Sequence, residues 1–136
     1  MPANKIFIDT NVLLYLLSAD TRKADRSEEI LGIGGYISVQ VLNEVANVAR
    51  RKLSMSWQEI TELLFLIRSM CQPLPLTLET HETGLFVARQ YGLSVYDSMI
   101  VAAALIEECE ILYSEDMQNS LVIDNRLRIC NPFIVK

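Results

Sequence analysis

Four acidic side chains of this sequence lie beside apolar segments that predict buried elements. Asp9 and Asp116 each follow a short apolar run, Asp9 directly and Asp116 after two intervening residues. Asp97 precedes apolar residues at i+3, i+4, i+7 and i+8, so it begins the helix face that packs against the core. Glu44 projects from the flank of another apolar helix stripe. If the fold brings their elements together, these carboxylates form one site.

Carboxylates that meet in one pocket repel one another, and this repulsion favours a bound cation. Two of them about 5 Å apart repel by roughly 3 kcal/mol at an effective dielectric constant of 20, and only protonation or a cation relieves it. Because all the candidate ligand atoms are oxygens, the set favours a hard ion such as Mg²⁺ or Mn²⁺ over zinc. Taken singly, each acid also fits a turn, a helix cap or a solvated surface. The prediction of a metal site therefore depends on their convergence.

Short apolar segments alternate with helical patterns along the chain. Strands are predicted at residues 6–8, 36–38, 111–113 and 127–130, and residues 73–76 are predicted to be extended. Apolar strands that alternate with helices indicate a parallel sheet covered on both faces. The predicted fold class is α/β, a three-layer sandwich in which a short central parallel sheet is flanked by helices. Ligands bind beyond the carboxyl ends of such strands, where Asp9 and Asp116 stand.

Caps and apolar periodicity set the predicted helices. Ser56 and Glu59 have capping-box spacing, Gly92 closes a helix, and Ser94 begins another. The helices are predicted at residues 12–17, 23–31, 39–51, 56–70, 77–91 and 94 to about 108, with the glycine-rich residues 32–35 ending the second. Residues 63–67 are five consecutive apolar side chains, which point all round the fourth helix. Part of that run must contact another chain or a second layer of this one.

Length and composition bound the class of protein. With 136 residues, 51% of them hydrophobic, residues 1–136 are expected to form a single domain. Three cysteines without CxxC spacing favour neither a disulfide framework nor a zinc knuckle. The sequence has no apolar run of the roughly 20 residues that cross a bilayer, and its N-terminus lacks the apolar segment of a signal peptide. We therefore expect a cytoplasmic protein with no membrane partner.

The charge balance limits how the protein can handle nucleic acid. Twelve Lys and Arg against 17 Asp and Glu give a formal net charge of −5. That balance argues against binding of nucleic acid by bulk electrostatics. It is compatible with a metal-dependent enzyme that acts on phosphates, since two divalent ions would bring −5 to −1.

Four segments of the sequence carry the acids in a fixed order. They are IDTNVL at residues 8–13, NE at 43–44, GLSVYDSMIVAAA at 92–104 and YSEDMQ at 113–118. Together these segments resemble the PIN-domain ribonucleases, and within that family the chain is similar to the VapC-type toxins of bacterial and archaeal toxin–antitoxin pairs. The resemblance extends over essentially the whole chain and implies a PIN-like fold.

The resemblance also implies a role for each acid and for the polar residues beside them. Carried over by position, the metal-binding and catalytic residues would be Asp9, Glu44, Asp97 and Asp116. The supporting polar groups would be Thr10, Asn11 and Ser114. Glu115 is adjacent to Asp116, but the family pattern favours Asp116. The number of metal ions stays open because residues 117–119 lack the further acid that some relatives carry.

The activity that the resemblance implies is metal-dependent hydrolysis of RNA phosphodiester bonds. Mg²⁺ or Mn²⁺ would lower the pKa of a bound water that attacks in line, so no side-chain nucleophile is required. A mechanism with two catalytic histidines is excluded because His81 is the only histidine. The implied partners are an RNA substrate, a cognate antitoxin and a second copy of the chain in a homodimer. Positive contacts to the RNA are expected from Arg50, Arg51 and Lys52, or from Arg22, Lys23 and Arg26.

Two other functions stay open at this level. A PIN-like fold can serve as a catalytically silent binding module, in which the acids have no role. An aspartyl-phosphate phosphatase also presents its nucleophile at a strand end, but it usually needs a second Asp two residues later, where this sequence has Asn11. Loss of RNA cleavage in Asp97→Asn would distinguish the nuclease from the module, and phosphate trapped on Asp9 would indicate the phosphatase.

Overall fold

Six short strands form one mixed sheet in the computed structural model, which describes residues 4–134. They are β1 Ile6–Ile8, β2 Gly35–Ser38, β3 Cys71–Leu74, β4 Ile111–Tyr113, β5 Val122–Ile123 and β6 Leu127–Cys130. Their order across the sheet is β3-β2-β1-β4-β6-β5, and each neighbouring pair is parallel except β5 and β6. The predicted α/β sandwich with a central parallel sheet is confirmed, except that one antiparallel strand, β5, is added at the edge.

Six α-helices flank the sheet within the described residues. They are α1 Thr10–Leu14, which continues as a 3-10 turn over Tyr15–Leu17, α2 Thr21–Ile33, α3 Val39–Arg51, α4 Trp57–Met70, α5 Leu78–Tyr91 and α6 Val95–Ile106. The predicted capping box of Ser56 and Glu59 is present at the start of α4. Gly92 ends α5 in the left-handed conformation, as its position predicts. No helix of residues 4–134 has the length and hydropathy that crossing a bilayer requires.

The second helix extends further than the glycines at 32–35 predict. Gly32 and Ile33 lie inside α2, where the prediction ended at residue 31. The helix stops at Gly34, whose φ of +85° is a backbone conformation that residues with a Cβ rarely adopt. A Cβ at Gly32 would meet no neighbouring atom. Glycine inside a helix lowers the helix propensity but does not break the helix.

Both edge strands differ from the sequence prediction. β3 begins at Cys71, two residues before the extended segment predicted at 73–76. Its place at the edge tolerates Pro73, which has no N–H to donate to a second neighbour. β5 has two residues, too few for a periodic signal. The turn that joins it to β6 contains Asp124 and Asn125, both with positive φ, which is typical of a tight hairpin.

The core packs the central strands against residues from all six helices, and α6 contributes the most. The inward side chains of β1 and β4, such as Phe7 and Leu112, are fully buried. Helix α6 is buried at every position from 98 to 105, because α5 packs closely against it. At Gly84 of α5, an added Cβ would come within 2.7 Å of the Met99 side chain. This close packing fixes α6, and with it the position of Asp97 in its first turn.

Candidate functional site

Asp9 and Ser114 lie side by side at the carboxyl edge of the sheet. Asp9 directly follows β1 and Ser114 directly follows β4, and these neighbouring strands pair in parallel with Ile8 opposite Tyr113. The backbone N–H of Asp9 donates to the carbonyl of Tyr113 at 3.0 Å, which extends the pairing by one residue. The parallel sheet therefore brings together two residues that are 105 positions apart in the sequence.

The Asp9 carboxylate is almost completely buried and accepts three hydrogen bonds. The backbone N–H of Thr10 donates to Oδ1 at 2.7 Å, while Asn11 Nδ2 at 3.2 Å and Ser114 Oγ at 2.7 Å donate to Oδ2. Burial raises the pKa of Asp9 to about 7, although the bonds from Ser114 and Thr10 oppose that rise. The carboxylates of Asp97 and Glu44 raise the pKa further by repulsion.

Glu44 is held at the same site by two side chains. Thr10 Oγ1 donates to Oε1 at 2.9 Å, and Gln40, one turn earlier in α3, donates to Oε2 at 2.8 Å. Thr10 thus binds Asp9 through its backbone N–H and Glu44 through its hydroxyl. Because α3 buries Val41 and Val45, its neighbouring polar face is turned towards the sheet edge.

Asp97 reaches the site from the first turn of α6. Its backbone N–H donates to the N-cap hydroxyl of Ser94 at 3.1 Å, so the cap fixes where the helix begins. The side chain is half-buried, and this burial raises the pKa of Asp97. A hydrogen bond between the Asp97 carboxyl group and Ser94 opposes the rise, whereas the carboxylates of Glu44 and Asp116 add to it. The pKa of Asp97 therefore depends in part on the charges of two other acids of the site.

The side chains of Asp116 and its acidic neighbour Glu115 have different surroundings. Asp116 is exposed and lines the cleft described below, whereas Glu115 forms an ion pair with Lys23 at 2.6 Å and a hydrogen bond with the hydroxyl of Tyr15. Partial burial raises the pKa of Glu115, but the bonds from Lys23 and Tyr15 outweigh that effect and leave it below its usual range. The backbone N–H of Glu115 donates to Asn11 Oδ1 at 3.1 Å, which holds the loop after β4 in place.

All four acids line a single open cleft of about 640 Å³. Its lining residues are Asp9, Thr10, Asn11, Leu14, Gln40, Asn43, Glu44, Asn47, Val48, Lys52, Tyr96, Asp97 and Asp116. Ser114 lies behind this surface and is fully buried. Over residues 4–134, no group of three acidic, histidine or cysteine side chains is arranged to hold a metal ion. A shared cation would therefore require carboxylates such as those of Glu44, Asp97 and the exposed Asp116 to come closer together than they are in this structure.

Of Arg50, Arg51 and Lys52, which were expected to contact RNA, only Lys52 lines the cleft. Lys52 stands at the end of α3. Arg50 stacks over the ring of Trp57 at 4.7 Å and donates to the carbonyl of Met55 at 3.0 Å, away from the cleft. Arg51 is exposed but is not among the residues that line the cleft.

The second basic group holds α2 against the C-terminal part of the chain. Besides the ion pair of Lys23 described above, Arg22 donates to the carbonyl of Phe133 at 3.1 Å and Arg26 donates to that of Pro132 at 3.1 Å. These contacts engage all three side chains in the fold.

Four polar or aromatic residues of the cleft were not predicted from the sequence. Gln40, Asn43 and Asn47 are found at i−4, i−1 and i+3 from Glu44, which places them on the same side of α3. Tyr96 immediately precedes Asp97. Helical spacing from the two acids was the signal that could have identified them.

The fold is shared with several solved structures, at low sequence identity. A toxin–antitoxin complex from Klebsiella pneumoniae aligns with a TM-score of 0.70 at 20% identity, covering 96% of this chain and 100% of that one. Mycobacterium tuberculosis VapC20, a toxin that cleaves the sarcin–ricin loop, aligns with a TM-score of 0.67 at 17% identity, covering 82% and 90%. VapBC2 from Rickettsia felis, bound to a DNA fragment of its promoter, gives 0.65 at 18% identity, covering 93% and 98%.

Family membership follows from the sequence match. Among curated proteins, no sequence matches this chain at a significant level. The PIN domain family, however, matches residues 6–120, which contain all four acids and every strand of the sheet except β5 and β6. The chain belongs to the PIN domain family.

Proposed function

We propose that this protein is a ribonuclease that depends on a divalent cation and uses Asp9, Glu44, Asp97 and Asp116 as its catalytic carboxylates. The observation that carries the proposal is that all four line one cleft at the carboxyl edge of the sheet. This is the position where open α/β sheets bind ligands. Membership of the PIN family, together with the likeness to a toxin that cleaves the sarcin–ricin loop, supports RNA as the substrate.

The donor chemistry of the cleft fits Mg²⁺ or Mn²⁺. Every acid supplies carboxylate oxygens, and hard divalent ions prefer oxygen ligands. Burial is the main cause of the raised pKa of Asp9 and Asp97, and repulsion from neighbouring carboxylates adds to it; a bound cation would remove that repulsion. Among the described residues that line the cleft, Lys52 alone is positively charged, so the acids have little compensation from the protein itself.

The residues around the acids orient them for this chemistry. Ser114 and the N–H of Thr10 fix both oxygens of Asp9, and Thr10 with Gln40 fixes both oxygens of Glu44. A divalent cation in such a site supplies activation of water as the nucleophile and neutralises charge on the phosphate. Asn11 donates to Asp9 and accepts from the N–H of Glu115, so it positions the loop that carries Asp116.

We further propose that the protein is the toxin of a toxin–antitoxin pair and that it forms a homodimer. Three of its structural neighbours come from toxin or toxin–antitoxin structures, which supports an antitoxin partner. Helix α4 buries Leu63 and Ile67 in the core but leaves Phe65 73% exposed and Leu66 49% exposed. Such large exposed apolar side chains are typical of surfaces that contact another chain.

An assay of RNA cleavage tests the proposed activity. Purified protein is incubated with single-stranded RNA in Mn²⁺, in Mg²⁺ and in EDTA, and the ends of the products are analysed. We expect cleavage only with a divalent ion and no 2′,3′-cyclic phosphate, because water rather than the 2′-hydroxyl attacks.

Two variants serve as test and control for this assay. Asp97→Asn should abolish cleavage, whereas Asp25→Asn, on the exposed surface of α2, should cleave like the wild type. Equal cleavage by the wild type and Asp97→Asn would remove Asp97 from the mechanism. A folded wild type that cleaves no RNA would favour a catalytically silent module.

A further inference from the structure

The cleft has too little positive charge to bind RNA mainly through phosphates. Four carboxylates and one lysine are found among its described lining residues. Proteins that bind nucleic acid through its backbone do so with several Lys and Arg contacts. A divalent cation would offset part of this negative charge at the cleaved phosphate. The neighbouring nucleotides must then be bound by something other than charge, and the cleft contains two kinds of group that can do so.

Tyr96 presents an unused aromatic face at the cleft. It is 67% exposed, lines the cleft and immediately precedes Asp97 in the first turn of α6. In the part of the chain that the structure describes, its ring stacks on no other aromatic ring and under no cation. An exposed aromatic ring is unfavourable in water, and unpaired bases stack on such rings. Its position beside a catalytic acid places such a base next to the cleaved phosphate.

Asn43 and Asn47 present unused amides at the part of the cleft that α3 forms. They are one helical turn apart, both are exposed, and both line the cleft. Within residues 4–134 neither side chain makes a hydrogen bond, whereas the amide of Gln40 on the same face is engaged by Glu44. Each free amide offers two donors and an acceptor, which is the complement of a base edge.

We propose that Tyr96, Asn43 and Asn47 form a nucleobase-binding wall that selects unpaired RNA by its bases. A base adjacent to the cleaved phosphate stacks on Tyr96, and a base edge forms hydrogen bonds with Asn43 and Asn47. Base edges reach such groups only when the strand is single, since duplex RNA keeps its bases stacked and paired. This inference rests on the proposed ribonuclease activity and names the residues that determine its specificity.

Kinetics on single-stranded RNA test the wall directly. A pool of oligoribonucleotides of random sequence and its duplex form are cleaved in Mn²⁺, and the fragments are sequenced to give the base preference at the cut. Because stacking on one base contributes to binding, Tyr96→Leu should raise KM about 5-fold or more. It should also weaken the base preference at the cut, with a smaller change in kcat. Tyr96→Phe should retain both values. Asn47→Leu should change which base is preferred.

Control variants and one further measurement separate this inference from the proposed activity. Phe86→Leu removes an equally exposed ring on α5, outside the cleft, and should behave like the wild type. The proposed nucleobase-binding wall is wrong if Tyr96→Leu keeps the wild-type KM and base preference, or if duplex RNA is cleaved as efficiently as single strands. Neither result contradicts the proposed ribonuclease activity.

If the wild type cleaves no RNA, the intact, fluorescein-labelled pool reports binding by anisotropy in the same buffer. Preference for single strands that Tyr96→Leu loses would then support the wall although the ribonuclease fails. Absence of binding would overturn both.

Discussion

Ser114 donates its hydroxyl hydrogen to the buried carboxylate of Asp9 at 2.7 Å, across the junction of two parallel strands. The same hydroxyl accepts from the backbone N–H of Met117 at 3.3 Å. One small side chain thus connects the most buried acid of the cleft to the loop that carries Asp116. A hydrogen bond to a buried charged group is among the stronger ones in proteins.

Ser114→Ala should destabilise the protein, because Asp9 would lose a donor that water cannot replace. We expect a loss of about 1 to 3 kcal/mol in the free energy of unfolding, measured by urea denaturation. Ser98→Ala is a matched control. Ser98 is equally buried, yet within the described part of the chain its hydroxyl has no partner, so its removal should cost little or even stabilise. Equal losses in the two variants would show that Ser114 acts through packing alone.

In EDTA, stability should fall as pH rises from about 5.5 to 7.5. The pKa of Asp9 is about 7 in the folded protein and near 3.9 when unfolded, so between these values the folded state binds more protons. Protonation of Asp9 therefore stabilises the folded protein at low pH, and this stabilisation is lost as pH rises through 7. Asp9→Asn should reduce this slope by about 1 kcal/mol or more over that interval. A pH dependence that is the same in the wild type and Asp9→Asn would show that Asp9 titrates near its ordinary value.

Glu115→Gln should reduce stability and Asp116→Asn should reduce cleavage, although the two residues are adjacent. Glu115→Gln weakens the partly exposed ion pair with Lys23 and should cost up to about 1 kcal/mol of stability while RNA cleavage continues. Asp116→Asn should leave stability unchanged and reduce cleavage, because that carboxylate is exposed in the cleft. Unfolding and cleavage are measured on the same preparations. The reverse pattern would assign the catalytic role to Glu115.

Phe65→Glu should prevent self-association or antitoxin binding without unfolding the protein. Because the side chain is 73% exposed, we expect a change in stability within about 0.5 kcal/mol. Gel filtration and titration with the antitoxin provide the measurements, and Phe65→Leu, which preserves the apolar surface, should retain both associations. Wild-type mass and antitoxin affinity in Phe65→Glu would place both interfaces elsewhere.

The elements that position the acids were predictable because their signals are local. The apolar runs before Asp9 and Asp116 match β1 and β4 residue for residue, and Ser94 caps α6 as expected. By contrast, Glu115 is held away from the cleft by Lys23, which lies 92 positions away, and no local pattern encodes such a contact.

The remaining cleft residues were missed for a related reason. Spacing along the helices places Tyr96 and Asn43 near acids, but both occupy exposed positions, where spacing alone does not distinguish a functional side chain from an ordinary surface residue. Only the meeting of α3 and α6 at the sheet edge, a result of tertiary packing, gives these side chains a shared cleft.

Binding of Mn²⁺ to the metal-free protein, followed by electron paramagnetic resonance, tests the cation site most directly. We predict that the wild type removes free Mn²⁺ from solution. Asp97→Asn should bind it about ten-fold more weakly or worse, while Asp25→Asn should bind it like the wild type. If the wild type leaves Mn²⁺ free, or if Asp97→Asn binds it with wild-type affinity, the four carboxylates do not form a shared metal site.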